Sequence, residues 1–213
     1  MQQPTEPYPT TTPFPLTYTV EYPDRKLNRL SSAFRFLWLI PIGIIAGLLV
    51  WGFDFQGSAS RFSWTVTGFL GIPVLLMLLF RGKYPRWWFD WNLNLAKFVV
   101  RYEAYCMLLR DEYPSTDEEQ AAFIDFPYPD ATQLSRGLPL VKWFLAIPHY
   151  FVLFFLFIGV AVSVIIAWFA ILFTGRYPRG LFDYVVGVNR WMWRVQAYAF
   201  LLVTDQYPPF SLS

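Results

Sequence analysis

Histidine and cysteine are almost missing from this chain. His149 and Cys106 are single copies. One cysteine excludes an internal disulfide, and one of each leaves too few ligands for a zinc site. No metal and no cofactor are expected. Charge is scarce as well: Asp, Glu, Lys and Arg make up 15% of the residues, against roughly 25% in a soluble domain. The net charge of +2 lacks the clustered excess that nucleic acid requires. No basic segment leads straight into an apolar stretch near Met1, so no cleavable signal peptide is expected. A phosphate-cradling loop, a Ser-His-Asp order and paired carboxylates in a definable cleft are also missing, so the chain reads as a non-enzyme.

What is abundant is apolar and aromatic surface. The chain is 55% hydrophobic and 21% aromatic, with ten Trp and 22 Phe. That composition, with long apolar runs in each half, points to an integral membrane protein. Residues 1–15 carry Pro4, Pro7, Pro9, Pro13 and Pro15 and read as a disordered, polyproline-leaning tail.

Beyond the tail, the chain reads as two tandem repeats, 16–115 and 122–213, joined by an acidic linker at 116–121. Each repeat opens with an alternating strand. Leu16, Tyr18, Val20 and Tyr22 share one side of the first, and Ala122, Ile124, Phe126 and Tyr128 share one side of the second. Apolar runs follow, at 36–53 and 62–80 in the first repeat and at 143–173 in the second. A single helix over 143–173 would reach about 46 Å, too long for a ~30 Å hydrocarbon core without strong tilt. A hairpin turning near Gly159 is therefore expected, spanning or re-entrant. Of the 17 Lys and Arg, only Arg61 lies at a hairpin tip. The positive-inside rule then puts both termini in the cytoplasm.

Each hairpin ends in a matching turn, Gly82, Tyr84 and Pro85 in the first repeat and Gly175, Tyr177 and Pro178 in the second. Glycine suits a helix stop and proline the first turn of the next helix. The two helices that follow carry polar residues in register: Arg86, Asp90, Lys97 and Arg101, then Arg179, Asp183, Arg190 and Arg194. These spacings draw one stripe along each helix. Each Arg or Asp at mid-bilayer costs about 2.5–3.5 kcal/mol, so both helices are expected to be amphipathic and to lie in the membrane interface. The stripes are candidate surfaces for anionic lipid head groups or a partner, with ion pairs along the stripe as the plainer alternative. The Asp-x-Tyr-Pro closers at 111–114 and 205–208 could pair with the two strands in a small β layer.

The second repeat holds Ile147-Pro148-His149, Ala167-Trp168-Phe169, the run from Phe173 to Phe182, Arg190-Trp191, Arg194-Val195, Ala197-Tyr198 and the closing run from Asp205 to Phe210. Together these carry a resemblance to the bacterial membrane family known as domain of unknown function 4389. It covers roughly 120–213, and the first repeat looks like a diverged copy, with Arg81 where Thr174 stands and Ser115 in place of a second proline. The resemblance implies a bacterial integral membrane protein and no activity. The expectation is a mainly α, multi-pass inner-membrane protein that is structural, accessory or lipid-interacting. Its partners would be membrane lipids, a membrane-protein complex or further copies of itself. A small transporter or channel subunit is the alternative, weakened by the near absence of ionisable residues in the apolar runs.

Overall fold

The computed structural model describes residues 14–50, 66–116, 118–131 and 134–213. The chain is mostly helical. Strand β1 (Thr17–Val20) leads into α1 (Arg29–Ala33), α2 (Arg35–Val50), α3 (Val66–Arg81) and α4 (Arg86–Cys106). Strand β2 (Ala122–Asp125), a 3-10 turn at Leu138–Leu140, α5 (Lys142–Leu145), α6 (Ile147–Thr174) and α7 (Arg179–Ala199) complete it.

Local chemistry sets most of these boundaries. Asn28 caps α1, its side chain accepting from the Leu30 and Ser31 amides at 3.0 and 3.3 Å. Gly82 and Gly175 stop α3 and α6 with φ of 57° and 73°, a backbone that favours glycine. Pro85 and Pro178 then start α4 and α7 with nearly the same geometry, φ −65° and ψ 126° against φ −61° and ψ 126°. Pro41 and Pro73 lie inside α2 and α3, a placement that membrane helices tolerate.

The two strands pair with each other, antiparallel, with Tyr18 opposite Ile124. Among the described residues the sheet has these two strands only, which corrects the expected pairing with the Asp-x-Tyr-Pro closers. Those closers hold by side chains instead. β1 packs on α7 and β2 on α4, so each strand docks on the helix of the other half. The same exchange recurs in detail: Tyr22 donates to the Tyr177 carbonyl at 2.6 Å, and Tyr128 donates to the Tyr84 carbonyl. Phe14, Leu16, Tyr18, Val100, Ile124 and Val185 lie in the core at this crossing. Phe14, assigned above to the tail, is thus buried.

The expected hairpin in 143–173 is not there. α6 is one unbroken helix of 28 residues. The expected turn residue Gly159 sits inside it, where the Tyr184 ring crosses closely and donates to the Leu156 carbonyl at 2.9 Å. Glycine is there for a close approach, not for a turn. The first-half hairpin tip, 54–61, lies outside the described residues.

Candidate membrane surface and basic turns

α6 contains no Asp, Glu, Lys or Arg and is the one described helix long and apolar enough to cross a membrane. One side of it is covered along its whole length, with His149, Leu153, Val160, Ser163, Ala167 and Ile171 buried. The other side is bare: Phe151, Phe154, Ile158, Ile165 and Phe173 are exposed, Phe173 by 78%. Leu37, Trp38 and Ile44 on α2 and Trp87 on α4 add to the exposed apolar surface.

α7 runs back along α6. Tyr184 touches α6 near its middle, and Trp191 donates to His149 Nδ1 at 3.0 Å near the start. The His149 ring also stacks on Phe210, centroids 4.0 Å apart.

The structure splits each predicted stripe in two. The inner ends, Arg101 and Arg194 buried and Lys97 and Arg190 half-buried, hold the chain together. Arg101 donates to the Ser115 carbonyl at 3.0 Å. Arg194 reaches the carbonyls of Ser211 and Ser213, and burial beside Arg190 pulls its pKa down. Arg190 donates to the Tyr18 carbonyl at 3.2 Å. Lys97 sits half-buried, 6.0 Å from the Phe123 ring. The outer ends are exposed. Arg179 and Asp183 form a loose, exposed pair at 3.7 Å, and Asp90 is exposed. Arg86 lies over the Tyr128 ring and Arg179 over the Tyr22 ring, at 5.6 and 4.6 Å. Trp191 and Trp193, on the same helix as the second stripe, are buried.

Beside the second turn lies a cleft of about 240 Å³, lined by Tyr22, Asp24, Arg25, Arg176, Tyr177 and Arg179. Gly82, Tyr84 and Pro85 form the other turn, where Arg136 lies against Gly82.

Sequence reasoning missed two buried cations. Lys142, fully buried, pairs with Asp205 at 2.7 Å and donates to the Thr204 carbonyl at 2.7 Å. Arg35 pairs with Asp111 and donates to the Tyr105 and Arg110 carbonyls, both at 2.9 Å. Burial lowers the pKa of each cation, and its carboxylate opposes that shift. The available signal was equal spacing: Arg29 to Arg35 repeats as Arg136 to Lys142.

Residues 139–211 match a family model described as Domain of unknown function (DUF4389). The matched segment is similar to that family. It holds α5, α6, the Gly175–Pro178 turn, α7 and the Asp205 closer, and covers well under half of the residues. β2 and the whole first half lie outside it. No curated protein and no solved structure matches the chain.

A titratable carboxyl group lies between the halves. Glu103 on α4 accepts from the Trp193 indole at 3.0 Å, and burial pushes its pKa up from 4.5 to about 7. A carboxyl whose folded pKa is raised supports the fold fully below about pH 4.5 and loses that support as pH rises through about 7. Glu103→Gln keeps the acceptor for Trp193 and removes the titration. Above pH 7 it is expected to be more stable than wild type by the order of 2 kcal/mol, with the difference vanishing near pH 4. Melting curves of both proteins across that range check it. A difference that does not change with pH would refute the assignment.

Proposed function

We propose that this chain is a non-catalytic, lipid-interacting structural component of a bacterial cytoplasmic membrane. Its two halves are duplicated units that exchange strands, and both termini face the cytoplasm. It would act within a membrane-protein assembly or as a homo-oligomer. The observation that carries the reading is the bare aromatic side of α6, opposite a side sealed by the protein body. The exchanged Tyr22–Tyr177 and Tyr128–Tyr84 bonds support the duplication.

In this reading α6 lies along one leaflet instead of standing across the bilayer. Were it upright, Gly159 would sit near mid-bilayer with Tyr184 beside it. Asp183, next to Tyr184 and with 61% of its side chain exposed, and Arg179, with 69% exposed, would then enter hydrocarbon. Each would cost about 2.5–3.5 kcal/mol. Lying flat avoids that cost, with the body of the protein serving as the polar face of an interfacial helix. It also keeps Arg176, Arg179, Arg190 and Arg194 on the same side as the other basic residues, as the positive-inside rule favours.

Gly137 and Gly180 flank α6, and each has open space where a side chain would project. In a Cys106→Ser background, Gly137→Cys and Gly180→Cys are expected to react with an impermeant thiol reagent from the same face of sealed vesicles. Labelling from opposite faces would mean that α6 crosses. Release of the wild-type protein from membranes by alkaline carbonate would defeat the membrane reading itself.

A further inference from the structure

We infer that the cleft beside the α6–α7 turn binds the phosphate of an anionic phospholipid, with Arg25 and Arg176 as its principal grips. The inference rests on the membrane reading above and gives that surface a defined ligand site.

Three arginines, Arg25, Arg176 and Arg179, line the cleft with one acidic residue, Asp24. Among the described residues, the side chains of Arg25 and Arg176 make no hydrogen bond and no ion pair within 4 Å, and both residues are exposed; Arg25 lies near enough to Glu112 to help lower its pKa. Arg179 has only its loose pair with Asp183 and its stacking on Tyr22. Cations gathered in this way repel one another, and a phosphate relieves the repulsion while accepting forked, charge-assisted hydrogen bonds.

The backbone adds to the same preference. Pro178 opens α7 without any side-chain cap, so the first-turn amides of a 21-residue helix are left for a ligand. Gly180, in that first turn, has open space where a side chain would project. The helix dipole favours negative charge at this end.

Position selects the lipid. The turn follows α6 directly, and Phe173 at the end of α6 is 78% exposed. A phosphate in the cleft therefore has an apolar, aromatic surface beside it on which acyl chains can lie. A free phosphate ion has no use for that surface.

The test uses full-length protein purified in a neutral detergent, with spin-labelled phosphatidylglycerol as probe and phosphatidylcholine as its zwitterionic counterpart. Arg25→Gln/Arg176→Gln is expected to weaken phosphatidylglycerol binding about tenfold, the loss of one or two charge-assisted bonds. Arg81→Gln/Lys83→Gln, at the other turn and outside both the cleft and the stripes, is expected to leave it within about twofold. Inorganic phosphate should compete only weakly, because it lacks the tails. Unchanged binding in the double variant overturns the site. An equal loss in the Arg81→Gln/Lys83→Gln control reduces it to general surface charge, which also overturns it. Inorganic phosphate binding as tightly as the lipid overturns the lipid assignment. Arg25→Lys/Arg176→Lys, which keeps charge but not the fork, should fall between wild type and the double variant, and matching melting curves exclude misfolding. Carbonate extraction of wild type reports separately on the membrane reading: a retained protein with arginine-independent lipid binding sinks the site alone.

Discussion

Lys142→Ala is expected to destabilise the folded chain by about 3–5 kcal/mol. The ammonium group is fully buried. It faces Asp205 and the Thr204 carbonyl, each at 2.7 Å, and lies 5.1 Å from the Tyr198 ring. The other Asp205 oxygen accepts the Ser135 amide at 2.7 Å. One carboxylate thus ties the segment before α5, α5 itself and the closing segment. Alanine would strand that carboxylate and the Thr204 carbonyl in a site that water reaches poorly, which costs more than the pair is worth when intact. Lys142→Met fills the space but strands the same groups, so it should fail almost as badly. Lys142→Met with Asp205→Asn removes both charges and is expected to recover most of the loss. Thermal or denaturant unfolding in detergent reads all three. If the double variant were as unstable as the singles, packing around the Lys142 stem and not the stranded charge would be responsible. The Arg35–Asp111 pair has the same construction, with the second Asp111 oxygen accepting the Asn28 amide at 2.6 Å, and Arg35→Ala should behave alike.

The pairing explains what the sequence could and could not reveal. Alternation told which side of each strand is buried: Tyr18 and Val20 point in, as do Ala122 and Ile124. Alternation says nothing of which partner a strand meets, so the exchange between halves was invisible. The two glycine–basic–Tyr–Pro turns were legible because glycine and proline impose backbone geometry locally. Arg35 and Lys142 were not, because a cation before an apolar run looks the same whether it snorkels to head groups or is buried against a distant carboxylate. The stripes were legible as stripes. Their division was not, because the acceptors of Arg101 and Arg194, the carbonyls of Ser115, Ser211 and Ser213, belong to segments that follow the helices. The basic cleft needed the fold too, since Arg25 and Arg176 meet only after the first half docks on the second.

Gly159 was misread for a related reason. Glycine in a long apolar run signals a possible turn, yet the same residue also permits a close crossing, and local sequence does not separate the two. Stability measurements separate them. In the wild-type background a Cβ at 159 would collide with Tyr184 Oη, and the ring Cζ would lie 3.2 Å away. The ring is pinned by its 2.9 Å bond to the Leu156 carbonyl. Gly159→Leu should therefore overpack the α6–α7 seam and cost about 3 kcal/mol. Gly159→Ala should cost less, because the lost hydrogen bond is partly offset by a helix-propensity gain of roughly 1 kcal/mol. With Tyr184→Phe the colliding oxygen is gone and the tether is already lost. Gly159→Ala is then expected to stabilise, by roughly 0.5 kcal/mol or more. The sign of the alanine effect should reverse between the two backgrounds. A turn at 159 predicts otherwise: alanine would be harmful in both, because the glycine would be needed for its backbone and Tyr184 would have no say.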